Sequence, residues 1–263
     1  MKRKGFLNYA PYILTSVFLL TGCTGGQLRG KSPGRDYFSN DFRCKNGILP
    51  HEEKKDYLQF YEGYRKLAFQ NRKNSVFAVI TGDSTSALFS EDRLKKYIPD
   101  FEVINRGIGG DTTSMMLRRL DEDIVSLQPR IIIIEIGGND ILGGRCLSSV
   151  LQNTEMIVNH LLKKLPNAEI IMVSIPPVVA WKANTITPFY NRQLEYLTEK
   201  NIRVSFMDLW PSLSDQNKPE LKKDFHFFLP GGKLDYVHLN EEGYRKWGEL
   251  ITSHLKKLSS KAN

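Results

Sequence analysis

The chain has 263 residues, 41% of them hydrophobic and 11% aromatic, so it can bury a full-sized core and is not a disordered polymer. Its three cysteines exclude a disulfide-dense scaffold. The net charge of +8 is carried in short pairs such as Lys54-Lys55, Arg118-Arg119 and Lys222-Lys223, which read as solvated surface and give no reason to expect a nucleic-acid groove.

Lys2, Arg3 and Lys4, an apolar stretch from Ile13 to Leu20, and then Leu20-Thr21-Gly22-Cys23 read as a secretory signal over residues 1–22. An uncleaved anchor is the rival, since no charge falls between Gly5 and Gly22, but Pro11, Asn8, Thr15 and Ser16 weaken it. The four residues ending at Cys23 resemble the lipobox of bacterial lipoproteins, which implies an acylated Cys23 and a domain held at a membrane outside the cytoplasm. Residues 23–45 follow as a glycine-rich tether, whose stretch 24–39 would reach roughly 20–25 Å. The folded domain is expected over 46–263. Cys44 and Cys146 remain in the mature chain, and an oxidising compartment would let them pair; spacing alone leaves both states open.

Along the domain, Leu58, Tyr61, Tyr64, Leu67 and Ala68 recur at three-to-four spacing and predict an amphipathic helix over 51–72. The period then changes. Val76-Phe77-Ala78-Val79-Ile80 is a short apolar run stopped by Gly82, as in a strand buried on both faces, and similar runs recur at 101–104, 131–136, 170–175 and 203–207. Helical stretches fall between them at 91–97, 112–127, 148–165 and 187–200. The last helix, 241 to about 258, is marked by Asn240 as N-cap, by Glu241 and Glu242 in its first turn, and by Tyr244, Trp247, Ile251 and Leu255 on one face. Strict alternation of strand and helix predicts an α/β domain with a five-stranded parallel sheet covered on both faces.

Open parallel sheets bind ligands beyond the carboxyl ends of their strands. After the first strand stands Thr81-Gly82-Asp83-Ser84-Thr85, after the second a loop from Asn105 to Thr112 containing Gly110, after the third Gly137-Gly138-Asn139-Asp140, and after the fifth Asp235-Tyr236-Val237-His238. These are the parts of a serine esterase. Ser84 is a weak nucleophile until a base takes its proton, and His238 is the histidine best placed for that, with Asp235 three residues earlier to orient its ring. The N–H groups of Ser84 and Gly110 and the side-chain amide of Asn139 are the candidate oxyanion donors. Singly, each motif is an ordinary turn; their order and placement carry the inference.

Those four blocks in that order resemble the SGNH hydrolase superfamily, the GDSL-type esterases and lipases, over roughly residues 76–255. The resemblance implies a flavodoxin-like three-layer α/β/α sandwich, with Ser84 as nucleophile, His238 as base, Asp235 as its partner, and Ser84, Gly110 and Asn139 lining the oxyanion hole. It also implies an ester substrate of lipid, acetylated-sugar or small-acyl type, and neither metal nor cofactor. Thr85 departs from the leucine common after Gly-Asp-Ser. The 105–113 and 235–244 segments look like the small-acyl branch near platelet-activating-factor acetylhydrolases and carbohydrate acetylesterases. A longer-chain lipase or lysophospholipase, and a non-catalytic lipoprotein binding a glycan or lipid on the same fold, are the alternatives.

Other readings fit less well. A dinucleotide fingerprint would need a third glycine where Thr112 stands, and no lysine follows any glycine loop as a P-loop requires. His51, His160, His226 and His254 lack ligand spacing. Glu135, near the end of an isoleucine strand, is expected to accept backbone N–H bonds from a neighbouring loop; a carboxyl tuning the site is the sharper alternative. Asp83 and Asp140 are expected to pin their loops. Trp181, Phe189, Tyr190, Trp210, Phe225, Phe227 and Phe228 are candidates for the wall of an acyl pocket, although packing elsewhere is the commoner fate.

Overall fold

The computed structural model describes residues 44–70, 76–180 and 183–261. The predicted signal, Cys23, the tether to residue 43 and Trp181 lie outside the described residues.

Five parallel strands form the main sheet: β1 (Ala78–Gly82), β2 (Val103–Asn105), β3 (Ile131–Glu135), β4 (Glu169–Val173) and β5 (Val204–Met207), in the order β2-β1-β3-β4-β5. That order is the flavodoxin-like one, with its topological switch point between β1 and β3. Successive side chains of a strand face opposite ways, so the isoleucine runs feed two cores at once. Val79, Ile132, Ile134, Ile170 and Met172 point into one core, and Ala78, Ile80, Ile133, Ile171 and Val173 into the other.

The helices α4 (Thr113–Asp123), α6 (Leu147–Lys164) and α7 (Thr187–Glu199) close the first core, α6 through Val150, Ile157, Val158 and Leu161. The second is closed by α3 (Glu91–Tyr97) and α9 (Glu241–Lys261). Asn240 caps α9 as predicted, its Oδ1 accepting the Gly243 N–H at 3.0 Å, and Tyr244, Trp247, Ile251 and Leu255 are wholly buried. Truncating Trp247 to alanine would cost about 3–5 kcal/mol.

Four features differ from the expectation. The predicted helix over 51–72 divides into a 3₁₀ turn at Pro50–Glu53 and α1 (Lys55–Gln70). Tyr57, Tyr61 and Tyr64 face inward against Ile108 and Met115, while Leu58 points out, because those rings cover the loop after β2. Short helices α5 (Gly138–Leu142) and α8 (Trp210–Leu213) occupy stretches too short to show a period, and α2 (Ser84–Ala87), which Ser84 opens after the Gly82 turn, is a single turn. A two-stranded antiparallel hairpin, β6 (His226–Phe228) and β7 (Leu234–Leu239), carries the segment expected to be a loop before the last helix.

Cys44 and Cys146 form a disulfide, their Cα atoms 4.7 Å apart across a sequence separation of 102. A closed loop of that length is worth about 4–5 kcal/mol in the chain-entropy account.

Candidate active site

Ser84, Gly110 and Asn139 follow β1, β2 and β3, so the switch point gathers them at one rim of the sheet. Gly82 makes the turn into Ser84 possible. A Cβ there would lie 1.9 Å from the Glu135 carbonyl oxygen and 2.4 Å from Ser86 Oγ, so only glycine lets β1 end against β3. Asp83 caps the short helix, its Oδ1 accepting the Thr85 N–H at 2.9 Å, and leaves Ser84 at the first position with a half-exposed side chain.

Ser84 Oγ lies 2.9 Å from His238 Nε2, and His238 Nδ1 lies 3.0 Å from Asp235 Oδ2. The other carboxylate oxygen, Asp235 Oδ1, accepts the N–H groups of Val237 at 2.8 Å and His238 at 3.0 Å. Burial would raise the Asp235 carboxyl, but the hydrogen bonds from the His238 ring and from these N–H groups outweigh it and hold it below the usual carboxylate range. The aspartate is thus an ionised acceptor beside the ring. Such a chain of contacts has the geometry to pass a proton from the serine hydroxyl to Nε2 while Nδ1–H donates to the carboxylate.

The turn at 108–111 is closed by the Asp111 N–H on the Ile108 carbonyl at 3.1 Å, with Gly110 at a φ of +79°, a conformation that glycine adopts without penalty. Asn139 Nδ2 donates to the Asp111 carbonyl at 3.0 Å, which ties the two oxyanion candidates together. Asp140 accepts the Thr113 N–H at 2.9 Å and its hydroxyl at 2.8 Å, pinning the start of α4 to α5.

Beneath the rim, Asp83 and Glu135 are buried together. Burial, then the Asp83 charge, then the hydrogen bond with Asp83 push the Glu135 carboxyl well above its ordinary range. Burial raises the Asp83 carboxyl as well, and the shift is the larger at Glu135, which favours the protonated form there beside Asp83. Its partners are side chains, Asp83 and Ser86 Oγ, the latter at 3.5 Å, rather than the backbone N–H groups expected of it. A strand position flanked by a second buried carboxylate leaves an acid neutral in preference to ionised.

Two buried ionic groups were not visible in the sequence. Arg119, fully buried, grips Asp111 Oδ2 at 2.6 Å, the Arg106 carbonyl at 2.9 Å and Thr81 Oγ1 at 3.1 Å, so one guanidinium ties the end of β1 to the loop after β2. It stands in a charge pair that reads as solvated, and nothing in its neighbours signals otherwise. The second group, Glu52 with Arg145, joins the 3₁₀ turn to the far side of the site at 2.7 Å. His51 also belongs here, with Nε2 3.0 Å from the Gly110 carbonyl oxygen. The remaining histidines stand apart, His160 on Asp121, His226 on the Leu221 carbonyl and His254 on Ser205.

A pocket opens beside Ser84, lined by Ile141, Leu142, Ile175, Pro176, Val178 and Val237 among others. Its apolar wall is aliphatic, and Asp83, Thr85, Glu135, Asn139 and Thr187 bring polar groups to the lining. None of the described aromatic candidates lines it: Tyr190 is wholly buried with its hydroxyl 3.1 Å from the Ile136 carbonyl oxygen, Trp210 donates to the Ile175 carbonyl, and Phe189 and Phe228 are exposed. Among the described residues no group of His, Cys, Asp and Glu side chains is arranged to hold a metal ion, and no helix is long and apolar enough to cross a membrane.

Residues 74–246 match the GDSL-like lipase/acylhydrolase family. The chain belongs to that family. With it comes membership of a family of carboxylic ester hydrolases. The esterase TesA of Pseudomonas aeruginosa is 26% identical over 110 residues, 38% of this chain and 55% of that protein, so the match spans little more than half of the esterase's length. Platelet-activating factor acetylhydrolase IB subunit alpha2 of Homo sapiens is 26% identical over 64% of this chain and 71% of its own. A GDSL-like lipase from Bacteroides thetaiotaomicron shares the fold with a TM-score of 0.61, at 20% identity, over 75% of this chain and 98% of that one.

Proposed function

We propose that this protein hydrolyses small acyl esters through Ser84, His238 and Asp235. One observation carries the reading: Ser84 Oγ, the His238 ring and the Asp235 carboxylate stand in a single hydrogen-bonded line, at 2.9 and 3.0 Å, at the rim where the sheet's loops converge. Ser84 Oγ attacks the acyl carbonyl carbon as its proton passes to His238 Nε2. The carbonyl oxygen becomes an oxyanion facing the N–H groups of Ser84 and Gly110 and the Asn139 amide. Collapse breaks the bond to the alkoxy oxygen, which leaves with the proton from His238, and water then repeats the sequence on the acyl-enzyme. The aliphatic pocket beside Ser84 would receive the acyl chain, and the platelet-activating-factor acetylhydrolase among the relatives supports a short one.

The site is further proposed to work outside the cytoplasm, on a lipid anchor at Cys23. The Leu20-Thr21-Gly22-Cys23 sequence supports the anchor, and the disulfide between Cys44 and Cys146 supports an oxidising compartment. Replacing Cys23 with serine should move the protein from the membrane to the soluble fraction; retention at the membrane would overturn the anchor.

The test of function is hydrolysis of p-nitrophenyl acetate, butyrate and octanoate by residues 24–263 and by the Ser84→Ala variant. Turnover on acetate that disappears in the variant is the expected result, with butyrate and octanoate progressively poorer. Equal turnover by both proteins would overturn the mechanism, and a preference for octanoate would replace the small-acyl reading with a lipase.

A further inference from the structure

The family match begins at residue 74, yet the segment 44–57 ahead of it reaches into the candidate site. It is fastened at its start. Beside the disulfide, the Lys45 N–H donates to the Gly144 carbonyl at 3.0 Å and the Cys146 N–H to the Lys45 carbonyl at 2.8 Å. Leu49 is wholly buried, packed so closely on Gly143 that a Cβ at 143 would meet it at 2.6 Å. Glu52 Oε2 accepts the Leu49 N–H at 3.0 Å, while its Oε1 takes Arg145 Nη2 at 2.7 Å, Ser114 Oγ at 2.9 Å and the Thr112 hydroxyl.

From that base the segment grips the Gly110 turn. A carbonyl oxygen only accepts, so the contact between His51 Nε2 and the Gly110 carbonyl at 3.0 Å requires the proton on Nε2. The Tyr57 ring lies against Gly110, where a Cβ would stand 2.9 Å from Cε2, and the His51 ring meets Tyr57 edge-on at 5.5 Å. Two consecutive carbonyls of this loop are thereby held, Gly110 by His51 and Asp111 by Asn139. Each oxyanion donor must stand within a few tenths of an ångström of its place before the reaction starts, and a glycine turn does not hold itself that well.

We propose that residues 44–57 form a strap that positions the oxyanion loop, with His51 and Tyr57 as positioning residues for Gly110 and with the disulfide and Glu52 fastening the strap. The proposal rests on the esterase reading above, since it assigns the strap to the Gly110 donor of that reaction.

The experiment compares wild type, His51→Ala, His51→Gln, a Cys44→Ser/Cys146→Ser variant, and that variant with His51→Ala added, each confirmed as folded by its thermal melt. His51→Ala should lower kcat on p-nitrophenyl acetate, and the rate of fluorophosphonate labelling of Ser84, by about 10-fold, the equivalent of one lost hydrogen bond of ~1.4 kcal/mol, with KM changed less than about twofold. Glutamine, whose amide can donate to the same carbonyl, should restore most of the loss. His51→Ala should cost much less once the disulfide is gone, because both changes release one strap. Amide hydrogen exchange over residues 106–114 should rise about 10-fold in His51→Ala without a change in the β3 amides. Unaltered kcat and exchange, a loss confined to KM, or fully multiplicative losses would overturn the strap. A wild type that turns over no ester and leaves Ser84 unlabelled would overturn the esterase reading instead, and the exchange measurement would still decide whether the strap holds the loop.

Discussion

The two halves of the candidate site stand on different kinds of structure. Ser84, Gly110 and Asn139 follow strands β1, β2 and β3 of the five-stranded sheet, and Gly82 and Glu135 beneath them are buried. Asp235 and His238 ride on β7, one strand of a hairpin with a register shift between His226 and Phe228 and with Phe228 and Tyr236 exposed. Two strands alone are marginally stable, so this hairpin is held by its flanks. The Val179 and Ala180 N–H groups donate to the Tyr236 carbonyl at 3.1 and 3.2 Å, the Asn240 N–H donates to the Phe225 carbonyl at 3.1 Å, and α9 follows directly. The contrast assigns the two tasks. The fold's buried core places the proposed nucleophile and oxyanion donors, and a separately clipped element brings the proposed base.

If the halves work as one catalytic unit, the largest effects come from parting them. Ser84→Ala and His238→Ala should each lower kcat by roughly 10⁴-fold or more, and the double variant should be no worse than either single one. Multiplying losses in steady-state kinetics would show that the hairpin and the rim act independently. Asp235→Asn should follow, with a loss of about 10³- to 10⁴-fold. Its oxygen can still accept the Val237 and His238 N–H groups, so the turn survives, while its amide nitrogen cannot accept from His238 Nδ1. Asp235→Ala loses both and should lower the melting temperature as well; equal melts for the two variants would deny Asp235 its part in holding the hairpin. On the sheet side, Asn139→Ala should lower kcat about 10²- to 10³-fold with a smaller change in KM, and a loss confined to KM would reassign Asn139 to substrate binding.

The same contrast explains what could be read from the sequence. A parallel strand buried on both faces writes itself as an unbroken apolar run, so the isoleucines at 131–134 announce β3, and the loop after each such run is where a ligand-binding residue belongs. β1, β3 and β4 follow from that rule, and Ser84 and Asn139 with them; the edge strands β2 and β5, partly exposed, write shorter and weaker runs, of which the first still points to Gly110. The hairpin writes no such signal. Asp235 and His238 were legible as a carboxylate–imidazole pair, but half-exposed β6 and β7 carry no clean alternation, and their strand character emerges only from pairing. Contacts between distant charges were hidden for a different reason. Arg119 and Glu52 look like surface residues along the chain, and only the closure of the loops around them makes them internal. His51 lacks ligand spacing, a criterion blind to a side chain that holds a backbone carbonyl 59 positions away.

The smallest expected effect on turnover lies beneath the sheet half, at Glu135. Its carboxyl is held well above the ordinary range, first by burial and then by the Asp83 charge. In the unfolded chain a glutamate releases its proton near pH ~4.3. Below that value both states are protonated and Glu135 contributes no pH dependence. As pH rises past it the unfolded chain loses the proton that the folded one keeps, so this group makes the protein less stable toward neutrality. Glu135→Gln keeps a donor facing Asp83 and has no proton to lose. Its stability relative to wild type should therefore increase from pH 4 to pH 8 in urea unfolding, with a smaller effect on kcat than Asn139→Ala. A stability difference that stays constant with pH would mean that Glu135 is ionised in the fold, and that the rim rests on two charges in place of a shared proton.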